Sequence, residues 1–292
     1  MSAHTMEEKY ISTEMGKIWT EIYGAEKSGV PLLVIHGGPG FKSMPQVVSE
    51  LASERPVIFY DQHGCGLSQR SLSSEEYTVS YYVKELDEVI VKLGLHCVNL
   101  MGHSWGAMLA AEYFLRKKPK NVRSIIFSGP LLSVPMWEAD QRKYIKRLPD
   151  KDQKIIEDAE LRNFYEESGY QEVMMKYYCR HICRLDPWPE YLVNALGKMN
   201  QEIYLSMWGP SEFTTTGSLK GADLLPRLHE ITVPALLICG EHDEASPETI
   251  LKYRDALALG EVAVIPDASH CHHIEKPEIF LAVVRDFLKR CG

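Results

Sequence analysis

Short runs of consecutive apolar residues recur along the chain at 31–36, 57–60, 98–101, 122–127, 235–239 and 262–265. A run of this length without polar alternation is what a strand buried on both faces of a parallel sheet requires. Between most of these runs the apolar positions take helical spacing instead, at 79–93, 107–117, 247–257 and 277–288. Strand and helix in alternation predict a mostly parallel sheet with helices on both faces. Ahead of them, 10–23 alternates and turns at Met15-Gly16, which predicts an N-terminal hairpin.

One stretch breaks the rhythm. From 133 to 231 the chain is charged, helical in periodicity and rich in Tyr, Trp and Met, with no apolar run suited to a buried strand. The expected organisation is therefore a discontinuous α/β core made of 1–132 and 232–292, with 133–231 inserted as a helical cap. Ligands of open α/β sheets bind at the carboxyl ends of the strands, so an insertion after the run ending near Ser128 should hang over the site.

Bulk properties narrow the field. A net charge of −8, with no clustered Arg/Lys patch, disfavours nucleic acid and anionic membranes as partners. No stretch nears the ~20 consecutive apolar residues of a membrane helix. The first residues lack the apolar centre of a signal peptide, so a cytoplasmic location is expected. Seven scattered cysteines suit reduced thiols in such a compartment. Cys179, His181 and Cys183, and far downstream Cys271, His272 and His273, do not follow zinc spacing, and neither metal nor organic cofactor is expected.

The chemistry centres on Gly102-His-Ser104-Trp-Gly106, which follows one apolar run and opens a helical one. This is the G-x-S-x-G pattern in its strand-turn-helix context, where the turn lifts a serine hydroxyl above the sheet edge and a Cβ on either flanking position would collide with backbone. The competing reading is a serine that only caps the helix. A nucleophilic serine needs a base and an orienting acid. In this architecture they follow in the order Ser, Asp/Glu, His, on loops after later strands. The 235–239 run ends in Gly240-Glu-His-Asp243-Glu-Ala-Ser246, and the 262–265 run in Pro266-Asp-Ala-Ser-His270. Asp243 is the expected acid and His270 the expected base, with His273 a weaker second. His36-Gly-Gly-Pro-Gly40 stands where a backbone oxyanion donor is taken, so Gly38 and Trp105 are the expected N–H donors.

Taken together, His36-Gly-Gly-Pro-Gly40, Asp61-Gln-His-Gly-Cys-Gly-Leu-Ser68, Gly102-His-Ser-Trp-Gly106 and Gly240-Glu-His-Asp243 resemble the proline iminopeptidase family of α/β-hydrolases. Within it the tricorn-interacting aminopeptidases are the most similar members. Trp208-Gly-Pro-Ser-Glu-Phe213 is similar to that family's Gly-Pro-x-Glu-Phe segment. The resemblance implies release of an N-terminal residue, proline or another apolar one, from short peptides or amino-acid amides through an acyl-enzyme. It also implies that Glu212 and Glu244 hold the substrate's ammonium. Ala107 departs from a frequent glycine, His63 occupies a variable position, and Trp137, Tyr204 and Trp208 are candidates for the pocket wall. The alternatives are a carboxylesterase, lactonase or amidase with the same triad, and a non-catalytic small-molecule binding protein. Ser104, in place of a carboxylate, speaks against dehalogenase and epoxide hydrolase chemistry. Oligomeric state is not legible, and a monomer is compatible with such a site.

Overall fold

The apolar runs form the strands of one sheet in the computed structural model, which describes residues 5–70, 73 and 76–291. They are β3 (Leu32–Ile35), β4 (Val57–Tyr60), β5 (Val98–His103), β6 (Val122–Ser128), β7 (Ala235–Gly240) and β8 (Gly260–Ile265), each parallel to its partners within this set. The hairpin of β1 (Met6–Thr13) and β2 (Gly16–Tyr23) pairs antiparallel with the outer side of β4, giving the order β1-β2-β4-β3-β5-β6-β7-β8. The hairpin begins before the residue at which alternation starts, because the charged residues Glu7 and Glu8 are exposed and are held by the ladder to β2 rather than by burial. The run at 262–265 also differs from expectation. β8 is an edge strand with Val264 41% exposed, since only β7 adjoins it.

Side-chain alternation divides the sheet's two faces. Leu33, Ile35, Leu100 and Phe127 face a core shared with α1 (Val79–Lys92), α2 (Trp105–Lys117) and α8 (Pro247–Ala256). Leu32, Val34, Phe59 and Ile126 face the opposite core, filled by α10 (Pro277–Cys291) with Phe280, Leu281, Val284, Phe287 and Leu288 on one stripe. Each such buried side chain contributes about 1.5–3 kcal/mol relative to exposure, so this doubly covered sheet is the rigid platform of the molecule.

Between β6 and β7 the chain leaves the sheet as α3 (Val134–Ile145), α4 (Asp150–Arg162), α5 (Ser168–His181), α6 (Glu190–Gly197) and α7 (Gln201–Met207). This helical layer has a small core of its own around Tyr144, Ile156, Tyr170, Val173, Tyr177 and Phe213. Backbone hydrogen bonds sew the end of α5 to the loop after β8: His270 N–H donates to His181 O (2.9 Å) and Cys271 N–H to Ile182 O (2.7 Å).

The turn from β5 into α2 is tightly confined. A Cβ on Gly102 would lie 2.2 Å from Gly106 O, and one on Gly106 would lie 2.2 Å from Ile35 O, so glycine is a steric requirement at both. The Asp61–Ser68 loop braces the neighbouring strand ends. Asp61 accepts Ser43 N–H and Leu67 N–H through its two oxygens (2.8 and 2.9 Å), and a Cβ on Gly66 would fall 1.9 Å from Asp61 Oδ2. Glu85 of α1 completes the brace by accepting His63 N–H (2.8 Å) while fully buried. Burial pushes its carboxyl up to about 8, with the His63 hydrogen bond working the other way.

Two outcomes follow for stability. Gly106→Ala should destabilise the fold by about 1–3 kcal/mol or more, measured by urea denaturation, because the clash is with strand backbone. Because Glu85's folded-state pKa lies above its unfolded value, its burial penalty is absent at low pH. The penalty grows as pH rises from that unfolded value and is complete above about 8. Glu85→Gln should therefore raise the melting temperature at pH 8.5 relative to wild type, and have little effect at pH 4.5.

Candidate active site

Ser104 sits at the junction of β5 and α2 with φ 55° and ψ −119°, a left-handed conformation costly for a residue bearing Cβ. Its N–H donates to Ser128 O (3.0 Å) and its carbonyl accepts Ala107 N–H (2.9 Å), so backbone bonds on both sides hold the strained turn. The hydroxyl makes no cap bond to α2, which removes the capping explanation for this serine. Gly37 lies so close that a Cβ there would be 3.2 Å from Ser104 Cβ.

Asp243 and His270 come from the loops after β7 and β8. His270 Nδ1 is 2.8 Å from Asp243 Oδ1 and the pair is buried. Burial acts to raise the Asp243 pKa, but the imidazoles of His270 and His272 outweigh it and hold the carboxyl well below the usual carboxylate range. Asp243 is thus a carboxylate, oriented further by Gly240 N–H on Oδ2 (3.2 Å) and Ala245 N–H on Oδ1 (3.1 Å). His273 lines the same cavity, but it is His270 that bonds to Asp243.

Ser104, His270, Gly38, Glu212 and Glu244 all line one cavity of about 460 Å³ beneath the helical layer, whose wall is otherwise largely apolar. Among the described residues no hydrogen bond joins Ser104 to His270, and His270 Nε2 lies 3.5 Å from Glu244 Oε1. Active-site hydrogen bonds of this kind commonly tighten only when substrate binds. Glu244 is almost fully buried and its Oε2 has no partner. Burial, reinforced by the carboxyls of Glu212 and Asp243, pushes the Glu244 pKa well above its ordinary value. Burial also raises Glu212, against the Tyr204 hydroxyl that donates to its Oε1 (2.5 Å).

Trp105 is wholly buried, its indole N–H donating to Gln62 Oε1 (3.0 Å). Gln62 in turn ties down the glycine turn, through its backbone N–H to His36 Nε2 and its side-chain amide to His36 O (both 2.9 Å). The Asp61–Ser68 motif therefore supports both segments from which oxyanion donors are expected, a role not read from its sequence. His63 lies away from the cavity, against Tyr81 and Tyr77. Of the cap aromatics, Tyr204 lines the cavity, whereas Trp137 and Trp208 pack on each other in the main core. Tyr170, Tyr178 and Trp188 contribute wall instead, and nothing in their spacing marks them out.

Comparison with known proteins agrees with this geometry. Residues 30–277 match the family model described as the alpha/beta hydrolase fold. A proline iminopeptidase of Heyndrickxia coagulans is 39% identical, the alignment covering 96% of this chain and 98% of that protein. Among solved structures, VinJ superposes with a TM-score of 0.93 at 28% identity over 98% of this chain and 99% of that one. A proline iminopeptidase of Mycobacterium smegmatis gives 0.87 at 30% identity, over 97% and 98% of the two chains. The chain belongs to the proline iminopeptidase family of α/β-hydrolases.

Proposed function

We propose that this protein is a serine aminopeptidase that removes an N-terminal residue, proline or another apolar one, from short peptides or amino-acid amides. The observation that carries this is the placement of two carboxyls, the buried Glu244 and the half-buried Glu212, in the same largely apolar cavity as Ser104 and His270. A largely apolar pocket that also presents two carboxyls suits an apolar first residue whose free ammonium is held by charge and hydrogen bonds. The helical layer, 133–231, acts as the cap that supplies Glu212 and closes the pocket from above.

In the proposed reaction Ser104 Oγ attacks the scissile carbonyl carbon as its proton passes to His270 Nε2. The N–H groups of Gly38 and Trp105 receive the developing oxyanion, and Asp243 stabilises the imidazolium through Nδ1. The C–N bond then breaks as His270 returns the proton to the leaving amine. Water, deprotonated by His270, releases the amino acid and restores Ser104. None of these steps calls on a metal or an organic cofactor.

Two measurements test the reading. Ser104→Ala should lower kcat/KM on an aminoacyl 4-nitroanilide by about 10⁴-fold or more and abolish fluorophosphonate labelling, while the N-acetylated substrate should be hardly cleaved by wild type. Equal turnover of acetylated and free substrates would instead favour an esterase or amidase. Burial favours the neutral form of Glu212 and Glu244 whereas a bound ammonium favours the ionised form, so binding should strengthen as pH rises. The trend should reverse once the α-amino group itself loses its proton, near about 8. KM for the free-amine substrate should accordingly pass through a minimum with pH, and Glu244→Gln should raise KM about tenfold or more and flatten its acid side.

A further inference from the structure

We infer that His272 is a positioning residue for Asp243: it holds the carboxylate oxygen that His270 does not use, and is itself fixed by Ser128. The inference rests on the roles given to Ser104, His270 and Asp243 under Proposed function. His272 opens the short helix α9 (His272–Glu275), is fully buried, and does not line the cavity, so it acts only through its neighbours.

The hydrogen-bond chemistry fixes its tautomer. Nδ1 faces Ser269 O at 3.2 Å and Asp243 Oδ2 at 3.5 Å, both acceptors, so Nδ1 carries the proton. Nε2 is then the acceptor for the Ser128 hydroxyl, 2.8 Å away. Asp243 thereby sits between two imidazoles, with His270 on Oδ1 and His272 on Oδ2, and the backbone N–H groups of Ala245 and Gly240 added one to each oxygen. Ser128 ends β6, and its carbonyl is the acceptor for Ser104 N–H. One residue therefore anchors both the nucleophile's backbone and the second imidazole.

Titratable groups from several packed elements surround His272. His103 of β5 lies at 6.2 Å and His273 of α9 at 5.9 Å between ring centroids. Asp243 comes from the loop after β7, His270 from the loop after β8, and Glu275 of α9 accepts the Ser269 hydroxyl. Phe280 of α10, uncharged, closes the remaining side at 5.7 Å. His103 and His273 are both depressed by burial, so Asp243 is the anion to which the His272 N–H is directed.

Loss of this donor leaves more negative charge on Asp243 to attract a proton onto His270, and leaves the carboxylate freer to turn. His272→Phe should therefore move the acid limb of the kcat/KM profile to higher pH by about half a unit. It should also lower kcat on the order of tenfold while KM changes by less than about twofold. His272→Asn, which keeps a side-chain N–H near the position of Nδ1, should restore much of the limb's position. Ser128→Ala should shift it in the same direction by less. Rates are taken per active site titrated with a fluorophosphonate, so a misfolded fraction lowers the amplitude without moving the limb. Asp243→Asn serves as the control: if it keeps wild-type activity, the proposed triad fails. If Asp243→Asn is inactive while His272→Phe keeps the wild-type limb and kcat, the triad stands and the inference on His272 is overturned. Should His272→Phe not fold, Ser128→Ala decides, an unshifted limb overturning the inference and a smaller upward shift supporting it.

Discussion

The whole site depends on how closely α2 can approach the end of β3. Only because Gly106 has no side chain can the first turn of α2 rest against Ile35 O, and only because Gly102 has none can β5 fold back beneath it. At the junction between these two contacts Ser104 takes the left-handed conformation and lines the cavity. The energy of that strained residue is carried by the doubly covered sheet, whose cores on either face resist local relaxation. The glycine turn at 36–40 is set by the same constraint, since Gly37 is pressed against Ser104 and braced through His36 and Gln62.

On this platform, adjacent residues are driven in opposite directions by their surroundings. Asp243 and Glu244 are consecutive and both buried, yet Asp243 is held as an anion by imidazoles and backbone N–H groups, while Glu244 is pushed toward its neutral form by burial and neighbouring carboxyls. A negative charge on Asp243 thus faces His270, while burial opposes charge on Glu244 in the neighbouring cavity. A cation entering that cavity would favour the ionised carboxyls, which is the electrostatic basis of the proposed preference for a free amine.

The parallel sheet, its flanking helices and the interposed helical layer were all legible, because unbroken apolar runs and helical spacing are local signals. The tight turn at Ser104 was legible because its glycines answer a local steric demand. Other features depend on residues distant in sequence. Gln62 reaches Trp105 with no pattern in the chain to announce it. The departures at the sheet's edges have a similar origin. β8 is apolar in sequence but bordered on one side only, and the first residues of β1 are charged yet extended by pairing alone.

The backbone bonds from 270–271 to 181–182 make the end of α5 part of the seam on which His270 rests. The helical layer is therefore not an independent hood that could be exchanged at will. A chimera that grafted the layer of one relative onto the sheet of another would have to transplant the histidine loop together with the end of α5. Otherwise the graft would keep its shape but lose the alignment of the imidazole.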